Sequence, residues 1–240
     1  MSPYLRNKKF YTNLWHIKKI KNCKFWNTWK KFEQIIPKEN SKLLDIGCGI
    51  RPRIPIKGSY FLDISQTALK ALEAQGGICH CGDAGEMPYY SNFFDFINAS
   101  EVLEHIEEDQ KVLREVYRVL KPKAHFSFSV PLNMKYWTKF DKKVNHVRRY
   151  NPSELYNKII EHGYEIKSFY MNNPSTSKIY KNIATLFLSY MPKLALYLEE
   201  HISLPITEYM VKQKKTKWHT DNFVDKLENA SGVIVLCKKI

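Results

Sequence analysis

The sequence predicts a doubly wound α/β fold, and three observations carry that reading. From Lys42 onward, short apolar runs alternate with stretches of helical periodicity, as a parallel sheet covered on both faces requires. The run Leu43-Leu44-Asp45-Ile46 ends in Gly47-Cys48-Gly49, a turn that lets backbone pass close to a ligand at the carboxyl edge of a sheet. A length of 240 residues suits one substantial core with additions.

Taken in order, residues 10–36 place Leu14, Ile17, Trp26, Trp29, Phe32 and Ile36 at helical spacing among lysines, which predicts one or two amphipathic helices ending at Pro37. Residues 1–42 hold eleven Lys and Arg against Glu33 and Glu39. We therefore divide the chain into a basic helical cap, 1–40, and a main domain, 41–240. Strands are expected at 42–46, 59–62, 77–81, 94–99, 124–130, 164–171 and 232–239, making a mostly parallel seven-stranded sheet. Helices are expected at 65–75 and 108–120, the second with Val112, Leu113, Val116, Val119 and Leu120 on one face. Another helix opens at Asn151-Pro152, an N-cap followed by proline in the first turn, and stops at Gly163. The stretch between the last two strands, about 172–231, is too long for a hairpin and reads as a helical insert placed before the last strand.

That insert holds the greasiest segment, Ile183 to Leu198, but Pro192 and Lys193 break it short of the roughly 20 residues a membrane span needs. A lid over an apolar substrate, an interfacial helix pair flanked by Lys178, Lys181 and the Lys212–Lys217 cluster, and a plain helical cap all fit the pattern. A net charge of +14 favours phosphate-rich partners, either nucleic acid or an anionic membrane surface, although a solvated lysine surface has the same composition. Five cysteines, an odd number spread over different elements, argue against a secreted disulfide framework, and no apolar leader is visible. A cytoplasmic location, with peripheral membrane contact as an option, is the expectation. Cys79 and Cys81 lack the second pair that a zinc site wants.

The glycine turn alone does not separate cofactor classes, but its surroundings do. Gly49 is followed by Ile50-Arg51-Pro52-Arg53, without the third glycine that seats a pyrophosphate on a helix N-terminus. Asp45 would repel a diphosphate and suits a cationic ligand such as the amino group of a sulfonium amino acid. Together, LLDIGCG, YFLDIS, CGDAGEMPY, FDFINASEVLEHI and LREVYRVLKPKAHFSFSVP resemble, in order, the motifs of class I S-adenosylmethionine-dependent methyltransferases, in particular the type 11 group. HVRRYNPSELYNKIIEHGYEIKSF resembles the helix and strand that close that domain, so the likeness runs from Leu43 to Phe169.

The resemblance implies a Rossmann-like fold and a cofactor site made of Asp45, Gly47, Cys48, Gly49, Asp63, Ile64, Asp83, Ala84 and Ser100. Asp63 would hold the ribose hydroxyls, Asp83 the adenine amino group, and Ala84 would offer its backbone. One departure is visible: Asp45 and Asp63 are closer in sequence than is usual in the family, and Pro52 and Pro55 interrupt the expected first helix. The basic amino-terminal helices are expected to cover the methionine end of the cofactor in its place.

Methyl transfer needs little beyond placement of a nucleophile and removal of its proton. Glu101, Glu104 and His105 follow the fourth strand at the edge where such sheets present ligands, and His105 is a candidate base. With His146, these residues also resemble the metal-binding motif of small-RNA 2′-O-methyltransferases and a sequence of quinone-pathway O-methyltransferases. That likeness implies a Mg2+ or Mn2+ ion on Glu101, Glu104, His105 and His146. An ordinary helix start with its acids near the positive dipole end has the same pattern. Arg148, Arg149 and Tyr150 are candidate substrate-loop residues. The expected function is methyl transfer to a small-molecule or lipid-like acceptor; an RNA methyltransferase using the basic amino-terminal region and a non-catalytic binding module on the same fold are the alternatives.

Overall fold

The computed structural model describes residues 3–15, 20–37, 40–172 and 217–240, together with Met191, Leu194 and Leu198. Seven strands, β1 Leu43–Ile46, β2 Tyr60–Asp63, β3 Ile78–Cys81, β4 Phe94–Ser100, β5 Leu120–Pro131, β6 Tyr164–Asn172 and β7 Gly232–Lys239, form one sheet. Their order is β3-β2-β1-β4-β5-β7-β6. β1 to β5 run parallel, and β7 enters antiparallel between β5 and β6, so the sheet is mixed at one side only. The chain winds outward from β1 through β2 and β3, then returns to β4 on the other side. The crevice beyond the carboxyl ends of β1 and β4 is the topological switch point where such sheets bind ligands.

Helices α1 Pro3–Trp15, α2 Trp29–Ile35, α3 Gln66–Glu73, α4 Asp109–Val119, α5 Lys139–Lys143, α6 Pro152–Glu161 and α7 Phe223–Leu227 are joined by short 3-10 turns at Cys23–Phe25, Leu103–His105 and Met134–Tyr136. α4 forms because its apolar residues repeat at helical spacing: Val112, Leu113, Val116 and Val119 are all buried against the sheet. Asn151 caps α6 by accepting the backbone N–H groups of Ser153 and Glu154, and Gly163 follows in the left-handed region at φ +81°. β1 is buried at every position because helices cover both faces of a central parallel strand.

Residues 47–59 contain no helix, as Pro52 and Pro55 predict. The amino-terminal segment covers the face a crossover helix would otherwise occupy. Phe32 of α2 is fully buried, 4.9 Å from Phe96 between ring centroids, in one cluster with Leu43, Ile54, Phe61, Leu69 and Leu72. The Lys21 N–H donates to the carbonyl of Ile50 and the Trp26 indole to that of Pro52, while the Arg53 guanidinium lies 3.4 Å from the Trp26 ring centroid. The expected helical run 10–36 is therefore interrupted at Cys23–Phe25 by a turn that follows this surface. Cys79 and Cys81 share the half-buried face of β3 and pack on the same cluster.

Of the insert expected at 172–231, most of the greasy stretch and most of the lysine cluster lie outside the described residues. Its last part returns to the domain: His219 bridges Phe169, and α7 packs on α6. Among the described residues no helix is long and apolar enough to cross a membrane.

Candidate active site at the carboxyl edge of the sheet

The turn after β1 is built for close approach. Gly47 sits at φ +63° and Gly49 at φ +54°, and a Cβ on Gly47 would lie 2.7 Å from a methyl carbon of Val102. The Gly49 N–H donates to Asp63 Oδ2 at 2.9 Å, and the Ser65 N–H donates to Oδ1 at 2.8 Å. Each carboxylate oxygen keeps a further lone pair, so Asp63 fits the two vicinal hydroxyls of a ribose. Burial pushes the Asp63 pKa up, and the N–H groups around it oppose the shift. Asp83 is exposed two residues past β3, accepting the Gly85 N–H at 2.7 Å, while Ala84 beside it is buried. Ser100 donates to the Asn98 side chain at 3.1 Å, and Cys48 and Ile64 are half-buried at the ends of β1 and β2.

Asp45 lies deeper than a ligand-facing acid. It has no exposed surface; Oδ1 accepts from Asn98 at 2.6 Å and Oδ2 from the Arg53 N–H at 2.7 Å. Burial pushes its pKa up to about 7 against the lowering effect of those two donors. The same enclosure lowers the Arg53 pKa to about 10, with Asp45 acting in the opposite sense. Through its bonds to Asn98 and Arg53, Asp45 ties β1, β4 and the 47–59 segment together.

Beyond β4 the sequence-predicted cluster assembles, with one member displaced. Oε1 of Glu104 stands 4.0 Å from Nε2 of His105 and 3.8 Å from Nε2 of His146, and one ligand atom from each of the three lies within 4.8 Å of the others. Glu104 has no exposed surface, and neither of its oxygens accepts a hydrogen bond from any described residue. Glu101 lies outside this trio. It is exposed, in the left-handed region at φ +56°, with its N–H and one carboxylate oxygen bonded to Ser129 Oγ at 3.1 and 2.7 Å. Its charge still reaches Glu104, whose pKa is driven well up by burial first and by Glu101 second. A non-glycine residue held there stores strain on the order of 1 kcal/mol, and such positions cluster at functional sites.

His105 is kept neutral: burial, and then repulsion from His146, lower its pKa to about 3. The two rings meet edge to face at 4.7 Å. His146 is oriented by Asp141, which accepts from its Nδ1 at 3.0 Å and leaves Nε2 directed at Glu104. Burial works to raise the Asp141 pKa, but hydrogen bonds from His146 and Thr138 and the charge of Arg149 hold it well below the usual range. Arg148, Arg149 and Tyr150, the candidate substrate-loop residues, form internal pairs. Arg149 binds Asp141 at 2.7 Å and the carbonyls of Leu132 and Ser231; Arg148 reaches Asp109 at 3.0 Å; Tyr150 donates to Asp109 at 2.6 Å. Arg148 and Tyr150 thus hold the 139–151 loop against α4, Arg149 ties it to Leu132 and Ser231, and the Val147 N–H joins it to the Leu103–His105 turn through the Glu104 carbonyl at 2.8 Å.

Two contributors carry no signal in the sequence. Asn7 and Tyr11 of α1 reach the Leu103–His105 turn: the Asn7 amide donates to the His105 carbonyl at 3.4 Å, and the Tyr11 hydroxyl lies 3.2 Å from His105 Nε2. The Tyr11 pKa is pushed up by burial and then by Glu104, Glu101 and Asp63. Asp141 is likewise recognisable only once the loop is folded.

The β3-β2-β1-β4-β5-β7-β6 sheet, with a glycine turn after β1 and an acid closing β2, has the Rossmann-like arrangement that the resemblance to class I S-adenosylmethionine-dependent methyltransferases implies. Residues 44–128 match the family model described as a methyltransferase domain, type 11. The chain is 32% identical over 107 residues to the biotin biosynthesis bifunctional protein BioHC of Saccharophagus degradans, covering 39% of this chain and 19% of that protein. It is 33% identical over 100 residues to the demethylmenaquinone methyltransferase of Bacillus mycoides, covering 35% and 42%. The matched part thus spans less than half of either relative. Among solved structures, a SAM-dependent methyltransferase of Thermotoga maritima shares the fold with a TM-score of 0.59 at 14% identity, covering 90% of this chain and 89% of that one.

Proposed function

We propose that the chain transfers the methyl group of S-adenosylmethionine to a small-molecule or lipid-like acceptor, with a divalent cation held by Glu104, His105 and His146. The Gly47–Gly49 turn and Asp63 fit the cofactor, as argued above, and Asp83 and Ala84 lie along the same edge for the adenine. When bound, S-adenosylmethionine supplies a sulfonium methyl as electrophile and a neutral thioether as leaving group. The chain's own residues position the acceptor oxygen or nitrogen and accept its proton.

The observation that carries the cation is Glu104: a fully buried carboxylate, without a hydrogen-bond donor among the described residues, facing two imidazole nitrogens. Such a group costs stability unless something positive completes it. A donor set of two imidazoles and one carboxylate favours Mn2+ over Mg2+, which prefers an all-oxygen shell. Asp141 supplies the outer hydrogen bond that fixes the His146 ring, and Glu101, beside the trio, is placed to orient the acceptor. A cation held there would lower the acceptor's pKa. The names of the two curated relatives place them with small-molecule substrates, which supports the acceptor class.

The test is transfer of labelled methyl from S-adenosylmethionine into extract fractionated as lipid, RNA, protein and small molecules, with chelator or Mn2+. Label in the small-molecule or lipid fraction that vanishes with chelator and returns with Mn2+ supports the proposal. Label confined to RNA would assign the alternative acceptor, and transfer indifferent to chelation would remove the cation.

A further inference from the structure

We propose that the groove between α1 and α3 is a binding site for a phosphate monoester, gripped by Lys8 from one helix and Lys70 from the other. This goes beyond methyl transfer and uses neither the glycine turn nor the Glu104 trio. α1 packs against α3, and the two leave an open groove of about 550 Å3 lined by Lys8, Thr12, Gln66, Thr67, Lys70 and Ala71. A space of that size takes a small organic molecule. Helical spacing separates it from the site already described. Asn7 and Tyr11, one turn apart on α1, meet the Leu103–His105 turn, whereas Lys8 and Thr12, one position further along and again one turn apart, line the groove.

The charge of the groove is unbalanced. Two ammonium groups enter it from two packed helices, and no acid among the described residues lines it. α1 contains no acidic residue, and α3 has only Glu73, outside the lining. Neither Lys8 nor Lys70 makes a hydrogen bond or ion pair among the described residues. Like charges brought to one groove repel until an anion joins them.

That imbalance selects the ligand. A phosphate monoester carries a charge of about −1.5 to −2 at pH 7 and three strong acceptor oxygens, which matches two ammonium groups. The Thr12 hydroxyl and the Gln66 amide add neutral donors on the two walls. A carboxylate or a phosphate diester brings a single charge and leaves one lysine unmatched.

Calorimetry of the full chain with glycerol 3-phosphate at low salt, without cofactor or metal, tests the site directly. Lys8→Met, at the less exposed lysine, should weaken binding about tenfold. Lys70→Met, at the exposed one, should weaken it about two- to fivefold. Lactate and dimethyl phosphate, each with one charge, should bind more weakly than glycerol 3-phosphate by similar factors. Acetylation by acetic anhydride, read by peptide mass spectrometry, should slow at Lys8 and Lys70 when glycerol 3-phosphate is added and stay unchanged at the exposed Lys142 and Lys143. No binding, equal slowing at all four lysines (an adventitious ion only), undiminished binding in both variants, or lactate binding as tightly would overturn the proposal. Phosphatidylcholine vesicles containing phosphatidate, set against vesicles containing phosphatidylglycerol, identify the source of the ester. Sedimentation with phosphatidate alone, lost in Lys8→Met, makes it a lipid headgroup, and binding confined to glycerol 3-phosphate makes it a soluble ester; both uphold the site. Equal sedimentation with the two anionic lipids, or displacement of glycerol 3-phosphate from Lys8 and Lys70 by single-stranded RNA, would overturn it.

Discussion

Replacing Glu104 by methionine should make the metal-free chain more stable and the metal-loaded chain less so. Methionine has similar length, no charge and a flexible chain that fills irregular space. In the parent, both carboxylate oxygens are buried without a described hydrogen-bond partner. An unsatisfied buried polar group costs about 1–3 kcal/mol, more when charged. Relief of that cost should raise the unfolding free energy in chelator by about 1–3 kcal/mol. For a chain of this size each kcal/mol moves Tm by about 2–4 °C, so a rise of about 2–12 °C is expected. The parent should gain about 2.7 kcal/mol from Mn2+ at a hundred times its dissociation constant, and the variant nothing. Thermal unfolding by circular dichroism, with chelator and with Mn2+, should therefore show the two chains exchanging rank. A variant that loses more than about 1 kcal/mol in chelator, or that Mn2+ stabilises as much as it does the parent, would refute the account of Glu104 as a carboxylate awaiting a cation.

Asp141→Asn should weaken Mn2+ binding about 10- to 100-fold by loosening the His146 ring, measured by electron paramagnetic resonance of free Mn2+; an unchanged affinity would make Asp141 a loop anchor alone. Gly47→Ala forces a Cβ onto Val102 at positive φ, so it should cost about 1–2 kcal/mol and weaken S-adenosylmethionine binding by calorimetry; a silent substitution would mean the turn is not under that constraint. Asp45 is raised from 3.8 to about 7 by burial, so its folded form holds a proton that the unfolded chain has released. Its contribution to stability is full below the unfolded value and declines as pH rises through the folded one. Urea midpoints should accordingly fall between pH about 4 and about 7, and Asp45→Asn should flatten that slope; an identical slope in both chains would show that Asp45 is not its source.

The fold was legible where local chemistry decides it. β7 has the bounds its apolar run predicts, Gly232–Lys239, and α6 starts and stops where Asn151, Pro152 and Gly163 say. β5 begins at Leu120 rather than Ala124 because Lys121-Pro122-Lys123 reads as a turn yet continues the strand, with Lys123 at φ +63°. α5 was missed because its start signal is a single Thr138–Asp141 pair over five residues. At the site, spacing grouped Glu101, Glu104 and His105, and the resemblance alone added His146; the fold brings Glu104, His105 and His146 together. The departure of Glu101 follows from a left-handed backbone fixed by Ser129, which sequence spacing does not encode. Arg148, Arg149 and Tyr150 look free in sequence because their partners, Asp109 and Asp141, become neighbours only through folding. Tyr11 lies 94 residues from His105, and an aromatic on a basic helix gives no hint of where it points.

The place of β7 between β5 and β6 sets an order of assembly on the ribosome. β6 pairs with β7 and not with β5, so it emerges before the strand that ties it to the sheet exists. At about 5–20 residues per second, the roughly sixty residues separating them take about 3–12 s to synthesise. During that interval one side of β5, apolar and unpaired, is an open template for a neighbouring nascent chain. Slower elongation through this stretch should lengthen the exposure and increase the chain's dependence on holding chaperones.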